Sequence, residues 1–340
     1  MENRREAEIT VAIIFRTILM LLVLVFLYLI REILALLFIA LIIVSVIDPV
    51  VDWLQDKKIP RFLGIWIVYL FLLTLFGVLF AFIIPLIASQ FDEFSNRLPE
   101  YLQGIQVYLK AISDYFSSQN IAFDPNQITN QISQALTAFS NNIISTTFGI
   151  FSGFISFIAV LSLVFYMTVR KDGIKNFIVF ITPDQYKNYA AELVIRIKNR
   201  MGGWMRGQLM VMLLVFALDF IGLSIIGVPF ALVLAIIAGL LEIVPYVGPI
   251  IGAIPGIILG FIISPLTGIL AALIYFVVQQ FESNVFLPQV MKRTVGLNPI
   301  VVILSLLVGF KLGGVLGVIL SVPLATVFNV FVEDFFKEKK

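Results

Sequence analysis

EIVPYVGPIIGAIPGIILG, residues 242–260, sets one acid and three prolines inside a segment that otherwise has the composition of buried helix. Gly248, Gly252, Gly256 and Gly260 recur every fourth position, which aligns them on one helix face. Proline and a carboxylate are both costly where the surroundings are lipid. Non-helical backbone at membrane depth is tolerated only where protein or a water-filled cavity covers it. The stretch therefore reads as a turn between two short helical arms that dip into a bilayer and return.

The rest of the chain supplies the bilayer. Of 340 residues, 60% are hydrophobic and 13% charged, and mean hydropathy is +1.06. A soluble domain is nearer half apolar and a quarter charged, so composition indicates an integral membrane protein. The net charge of +2 gives no reason to expect nucleic acid as a partner. The absence of Cys excludes disulfides, and the absence of His removes the zinc-protease helix motif, Ser-His catalysis and imidazole relays. The remaining acids are isolated along the chain, not paired as a dyad. The expectation is a non-enzyme with no cofactor and no bound metal.

Apolar runs of roughly 20 residues, enough to cross a bilayer core, occupy 9–30, 33–54, 62–88, 143–169, 209–227 and 266–287. The first follows Arg4 and Arg5 without a small-residue cleavage site, so it reads as a retained span. Segment 170–206 carries eight Lys/Arg, whereas 89–142 carries Arg97 and Lys110 against five acids. The positive-inside rule then puts the former in the cytoplasm, the latter outside, and both termini inside. The expected location is the bacterial inner membrane. Residues 89–142 are expected to form two amphipathic helices beside the membrane, joined near Pro125, as a lid or subunit contact. On the inner side, Val194, Ile197, Met201, Trp204 and Met205 share a helix face among basic residues, the pattern of a helix lying in an anionic headgroup layer.

A second broken region, 297–334, repeats the opening design: a short arm near 299–311, a turn at Gly313-Gly314, and a return over 315–334. Thirteen residues rise about 20 Å, too little for a ~30 Å core. Gly309, Gly313, Gly317 and Ser321 echo the four-residue glycine step, and GIILGFIISP (256–265) is similar to GVLGVILSVP (314–323). The fold class is all-α: about six full spans plus two broken re-entrant hairpins, or eight spans in the alternative, with amphipathic helices outside the membrane. The domains are 1–88, the first three spans; 89–142, the outer helices; 143–169, the fourth span; 170–208, a basic cytoplasmic segment; and 209–340, a transport domain with both hairpins. Opposed hairpins bring their turns to the midplane, where broken-helix transporters bind cargo.

Glu242 is the first candidate site residue, because a charge deep in a bilayer must be paired, protonated or hydrated. Either it serves transport or it forms a structural pair with Lys311, the other charge at that depth. Asp219, mid-span, carries the same argument. Gln279, Gln280, Glu282 and Asn284 cover about two helical turns and either line a polar path or end an ordinary span. Asn298 and Pro299 open the second hairpin.

These motifs match a known pattern. LEIVPYVGPIIGAIPG (241–256), QQFESNVFLPQVMKRTVGLNPIVVILSLLVG (279–309) and GGVLGVILSVPLA (313–325) resemble the autoinducer-2 exporter family, as do DPVVDWLQDKKIPR (48–61) and the stretch 85–102. The resemblance implies a multispan permease assembled as a homopentamer with an elevator-like carrier. It implies export of a small solute such as the quorum-sensing signal autoinducer-2, with sodium–proton antiport as the alternative. Positions matching the family's motifs are Glu242, Pro245, Gly248, Pro249, Gln280, Glu282, Pro288, Leu297, Pro299, Gly314, Gly317 and Pro323; Asp219 has no counterpart. A scaffold or channel-like oligomer without coupled transport is the reading from another class. The chain has no phosphate-cradling loop ending in Gly-Lys-Ser/Thr, so coupling to an ion gradient or plain facilitation is expected. The expected partners are a small solute or monovalent cation and membrane lipids.

Overall fold

A computed structural model describes residues 2–117, 130–131, 134, 154–286 and 298–337. Ten helices follow one another among the described residues, with no strand. They are α1 (Glu2–Leu29), α2 (Arg31–Asp56), α3 (Arg61–Ser117), α4 (Phe154–Val169), α5 (Gly173–Ile181), α6 (Lys187–Ile225), α7 (Ala231–Leu241), α8 (Val247–Ile263), α9 (Pro265–Phe281) and α10 (Pro299–Lys337). A π-helical turn, Glu282–Phe286, extends α9. The exposed surface of the helices is dominated by Leu, Ile, Val and Phe, the signature of a polytopic helical membrane protein. Pro125 and the start of the expected fourth span, 143–153, lie outside the described residues, as do Pro288 and Leu297.

Two apolar cores divide the fold. The first joins α2, α3 and α4 through Ala40, Val44, Ile47, Val51, Ile65, Val68, Val160 and Val164. The second joins α6 to α9 through Val211, Val215, Leu234, Ala238, Leu259, Ala271 and Val278. Helix α6 belongs to both halves: its first part packs on α2 and α10, its second on α7 and α9.

Local chemistry sets the breaks. Helix α6 stops where Gly227 takes φ +72°, a left-handed conformation glycine enters without Cβ strain. The Val228 amide then reaches back to the Leu223 carbonyl at 3.0 Å, satisfying an end carbonyl in the manner of a glycine C-cap. Helix α9 begins on Ser264, whose Oγ accepts from the Thr267 amide at 3.0 Å, with Pro265 in the first helical position where no amide is needed.

Both broken regions are hairpins. Helices α7 and α8, of 11 and 17 residues, rise about 16 and 25 Å, each short of the core thickness. Their turn, Glu242–Tyr246, holds Tyr246 at φ +66°, a conformation bulky residues rarely adopt. The arms lie backbone to backbone: a Cβ added to Gly252 would fall 2.8 Å from Ala238 Cα. In α10 the fold-back is at Gly314, with φ 57° and ψ −137°. A Cβ on Gly317 would sit 2.8 Å from the Gly309 carbonyl carbon, although eight residues of straight helix would separate the two by about 12 Å.

The glycine ladders are thus real seams, with one difference each from the expected regularity. Gly248 and Gly252 face α7, but Gly256 and Gly260 face α9, the former beneath the Tyr275 ring. Gly309, Gly317 and Ser321 line the second seam, while Gly313 meets nothing within 4 Å because the turn has carried it off that face.

Three expectations for the surface helices are corrected. Helix α3 is one helix of 57 residues, about 85 Å long; the third span and the first outer helix are continuous, across the 88/89 boundary. Helix α6 likewise runs unbroken through 208/209. The face Val194, Ile197, Met201, Trp204 and Met205 is not turned to headgroups: Met201 packs on Ile42 and Leu320, and Trp204 on Val302, Leu306 and Val322. Its basic neighbours are held by acids far along the chain. Arg196 makes a fork of two 2.6 Å bonds to Asp334, and Arg200 pairs with Glu333 at 2.6 Å. Lys198 pairs with the buried Asp48, which Arg61 also contacts at 2.8 Å.

Candidate functional site

The second core is apolar except where its helix breaks meet. There Asp219 of α6, Glu242 of the first hairpin turn and Glu282 of the π-helical turn are 1%, 0% and 3% exposed. They face one another electrostatically: Glu282 and Asp219 both act on Glu242, and Glu282 acts on Asp219. No Lys or Arg among the described residues faces the three. Adjacent carboxyls in a low-dielectric site repel when both are ionised, so the group as a whole favours taking up a positive charge.

The backbone positions each acid. Glu242 caps α7, and its carbonyl accepts from Gln208 Nε2 at 2.5 Å, so α6 holds the hairpin turn by its main chain and leaves the carboxyl unclaimed. Both Glu242 carboxyl oxygens lack a protein donor, as do Asp219 Oδ1 and Glu282 Oε2. Glu282 is the first residue of the π turn, and its side chain is buried; such turns recur at functional sites. Gln279, one turn earlier, donates to Ser283 Oγ at 3.2 Å. Gln208 Oε1 and the Tyr275 hydroxyl are also buried without a partner, and Tyr275 faces Asp219. Unsatisfied buried polar atoms are few in natural proteins; here most of them surround one spot.

Some candidates from the sequence converge there and others do not. Asp219, Glu242 and Glu282 come together, and Pro245, Gly248 and Pro249 shape the turn beside them, with Gly248 against the Leu241 carbonyl. Lys311 does not pair with Glu242. It is exposed near the tip of the second hairpin with no ion pair among the described residues; the two hairpins meet through Val244 and Tyr246 against arm residues Val302, Leu306 and Val318, short of that tip. Gln280 and Asn284 bond each other at 2.9 Å on an exposed face. Asn298 is exposed and caps α10, its Oδ1 accepting from the Ile300 amide at 2.9 Å, with Pro299 in the first turn. Gln208 and Tyr275 were missed by sequence reasoning. Their signal was weak: a single amide and a single phenol in apolar helices. The described residues contain no group of three or more His, Cys, Asp or Glu able to hold one metal ion.

Residues 17–337 match the AI-2E family transporter family. "Putative transport protein YueF" of Bacillus subtilis is 32% identical over 304 residues, covering 86% of this chain and 81% of the relative. YrrI of the same organism carries the same description at 27% identity, over 88% of this chain and 86% of its own. A "Sodium-lithium/proton antiporter" of Halobacillus andaensis is 23% identical over 86% of this chain and 87% of its own. The chain belongs to the AI-2E transporter family and is a multi-pass membrane transport protein.

Proposed function

We propose that this AI-2E family transporter is a secondary exchanger of the bacterial inner membrane, in which protons and a monovalent cation compete for Glu242, Glu282 and Asp219. The observation that carries this reading is the meeting of three buried carboxyls with no cationic side chain facing them. Two adjacent carboxylates cannot stand ionised and unoccupied in a low-dielectric site, because each uncompensated charge costs several kcal/mol. Either a proton or a small cation must be present, so loading one displaces the other and exchange is obligatory. The Halobacillus relative is named for that exchange, and broken helices are the setting in which transporters hold ions. The reading needs no enzymatic step and no cofactor. The basic segment 170–206 and the acidic balance of 89–142 support a topology with both termini in the cytoplasm.

The second reading is export of a small hydroxylated solute such as autoinducer-2, with the cation as its driving partner, in an elevator-like homopentamer. Gln208 Oε1 and the Tyr275 hydroxyl favour it, since they are unclaimed groups of the kind that fix hydroxyls. Purified protein in vesicles carrying a pH-sensitive dye and an imposed pH gradient separates the readings. Addition of sodium or lithium should collapse the gradient, and Glu242→Gln should abolish the response while leaving the melting profile intact. Normal exchange by Glu242→Gln would make the residue structural and end the proposal. A sugar-like diol that moves without any cation response would leave export standing and remove exchange. Flux of neither kind would favour a scaffold.

A further inference from the structure

We propose that α5 lies in the plane of the membrane surface and that its start binds anionic phospholipid headgroups through Arg170 and Lys171. Helix α4 ends at Val169, so Arg170–Asp172 follow directly on an apolar helix end and sit where hydrocarbon gives way to water. Helix α5 has nine residues, about 14 Å, too short to cross. It nevertheless exposes Phe177, Phe180 and Ile181 at 64%, 82% and 62%. Steps of three and four put these on one face; the less exposed side, with Ile178 and Val179, is the one away from Phe180, and α5 packs against α6. A short helix with two outward aromatics beside basic residues has the form of an interfacial helix.

Charge complementarity names the occupant. The basic segment 170–206 is expected from sequence to meet headgroups as a whole, but most of its cations are already committed. Lys175 pairs with Asp172 at 2.9 Å and Lys187 with Asp184 at 2.5 Å. Arg196, Lys198 and Arg200 are held by Asp334, Asp48 and Glu333, and Arg206 reaches the Ser45 carbonyl at 3.5 Å. Arg170 and Lys171 are exposed and without an ion pair among the described residues; Arg206, the other exposed cation of the segment with no ion pair, is directed at a backbone carbonyl. Two adjacent cations without an ion pair, next to an exposed aromatic face, favour a negatively charged leaflet over a zwitterionic one.

The chain has no Cys, so Phe180→Cys gives full-length protein a single site for an environment-sensitive fluorophore. The labelled protein is placed in nanodiscs of phosphatidylcholine mixed with phosphatidylglycerol, and quenching is compared for the two lipids brominated high on the acyl chain. The expected result is lipid quenching with a preference for the brominated phosphatidylglycerol. Arg170→Gln with Lys171→Gln should remove a preference of up to about 30-fold, two charges at about fivefold each, while Arg170→Lys with Lys171→Arg should keep it. Quenching by aqueous iodide without lipid quenching would put α5 in water and overturn the proposal. Equal quenching by both lipids, unchanged in the glutamine pair, would reduce the contact to apolar insertion and overturn the headgroup assignment.

Discussion

The tightest seam in the molecule gives a prediction with its own internal control. Gly313→Ala and Gly317→Ala are the same chemical change, four residues apart in the same hairpin, and the glycine spacing treats them alike. The structure does not. A Cβ at Gly317 lies 2.8 Å from the Gly309 carbonyl carbon, whereas one at Gly313 meets nothing within 4 Å. Real Cβ atoms essentially never approach below 3.0 Å, and ordinary contact begins at 3.4 Å. The wall at Gly317 is backbone, so it cannot rotate away and the arms must part. Overpacking of this kind costs about 1–3 kcal/mol. Alanine also gains up to about 1 kcal/mol of helix propensity over glycine, a benefit common to both variants that cancels in their comparison. The closed hairpin should therefore be about 5- to 150-fold less favoured in Gly317→Ala than in Gly313→Ala. Hydrogen exchange on peptides covering residues 302–320, measured in nanodiscs, reads this ratio directly. Equal protection in the two variants would refute a fold-back at Gly314 and restore a straight helix.

Two further outcomes follow from contacts between elements. Lys198→Met strips one partner from the buried Asp48, leaving Arg61 at 2.8 Å, and should cost at most about 3 kcal/mol; Asp48→Asn in the same chain should recover part of it, and thermal melts of the four proteins give the coupling. Gly256→Ala drives a methyl to 2.7 Å from Tyr275 Cε2 and should destabilise the α8–α9 packing by about 1–3 kcal/mol. Tyr275→Leu should suppress that loss, and strict additivity of the two changes in a melt would exclude the contact.

What the sequence made legible was local. Prolines, glycines at four-residue steps and arms too short to cross declare both hairpins, because each signal lies within a few residues of the break it causes. Asp219, Glu242 and Glu282 were readable as anomalies, since an acid in an apolar run is visible without its partners. Their mutual arrangement was not: Glu242 meets Glu282 through a π turn whose register no periodicity encodes, so Lys311 stood as the nearest plausible counter-charge. The basic face of α6 was misjudged for a similar reason. Arg196 and Arg200 are matched by Asp334 and Glu333, more than 130 positions away, and an amphipathic pattern is the same whether lipid or protein covers it. Helices α3 and α6 were cut short because polar residues end an apolar run without ending a helix.

The continuity of α6 bears on how such a molecule could work. Gly202 presses its backbone on the Ser45 carbonyl, with a Cβ there only 3.1 Å from the Ser45 carbonyl carbon, so α2 and α6 touch at a fulcrum. Asp219 lies 17 residues further along the same rod, about 25 Å of lever arm. A rocking of about 10° at the crossing would sweep that carboxyl through about 4 Å, somewhat less than one helical turn. A small pivot at the α2–α6 crossing would thereby be geared into a displacement of several ångströms at the buried acid.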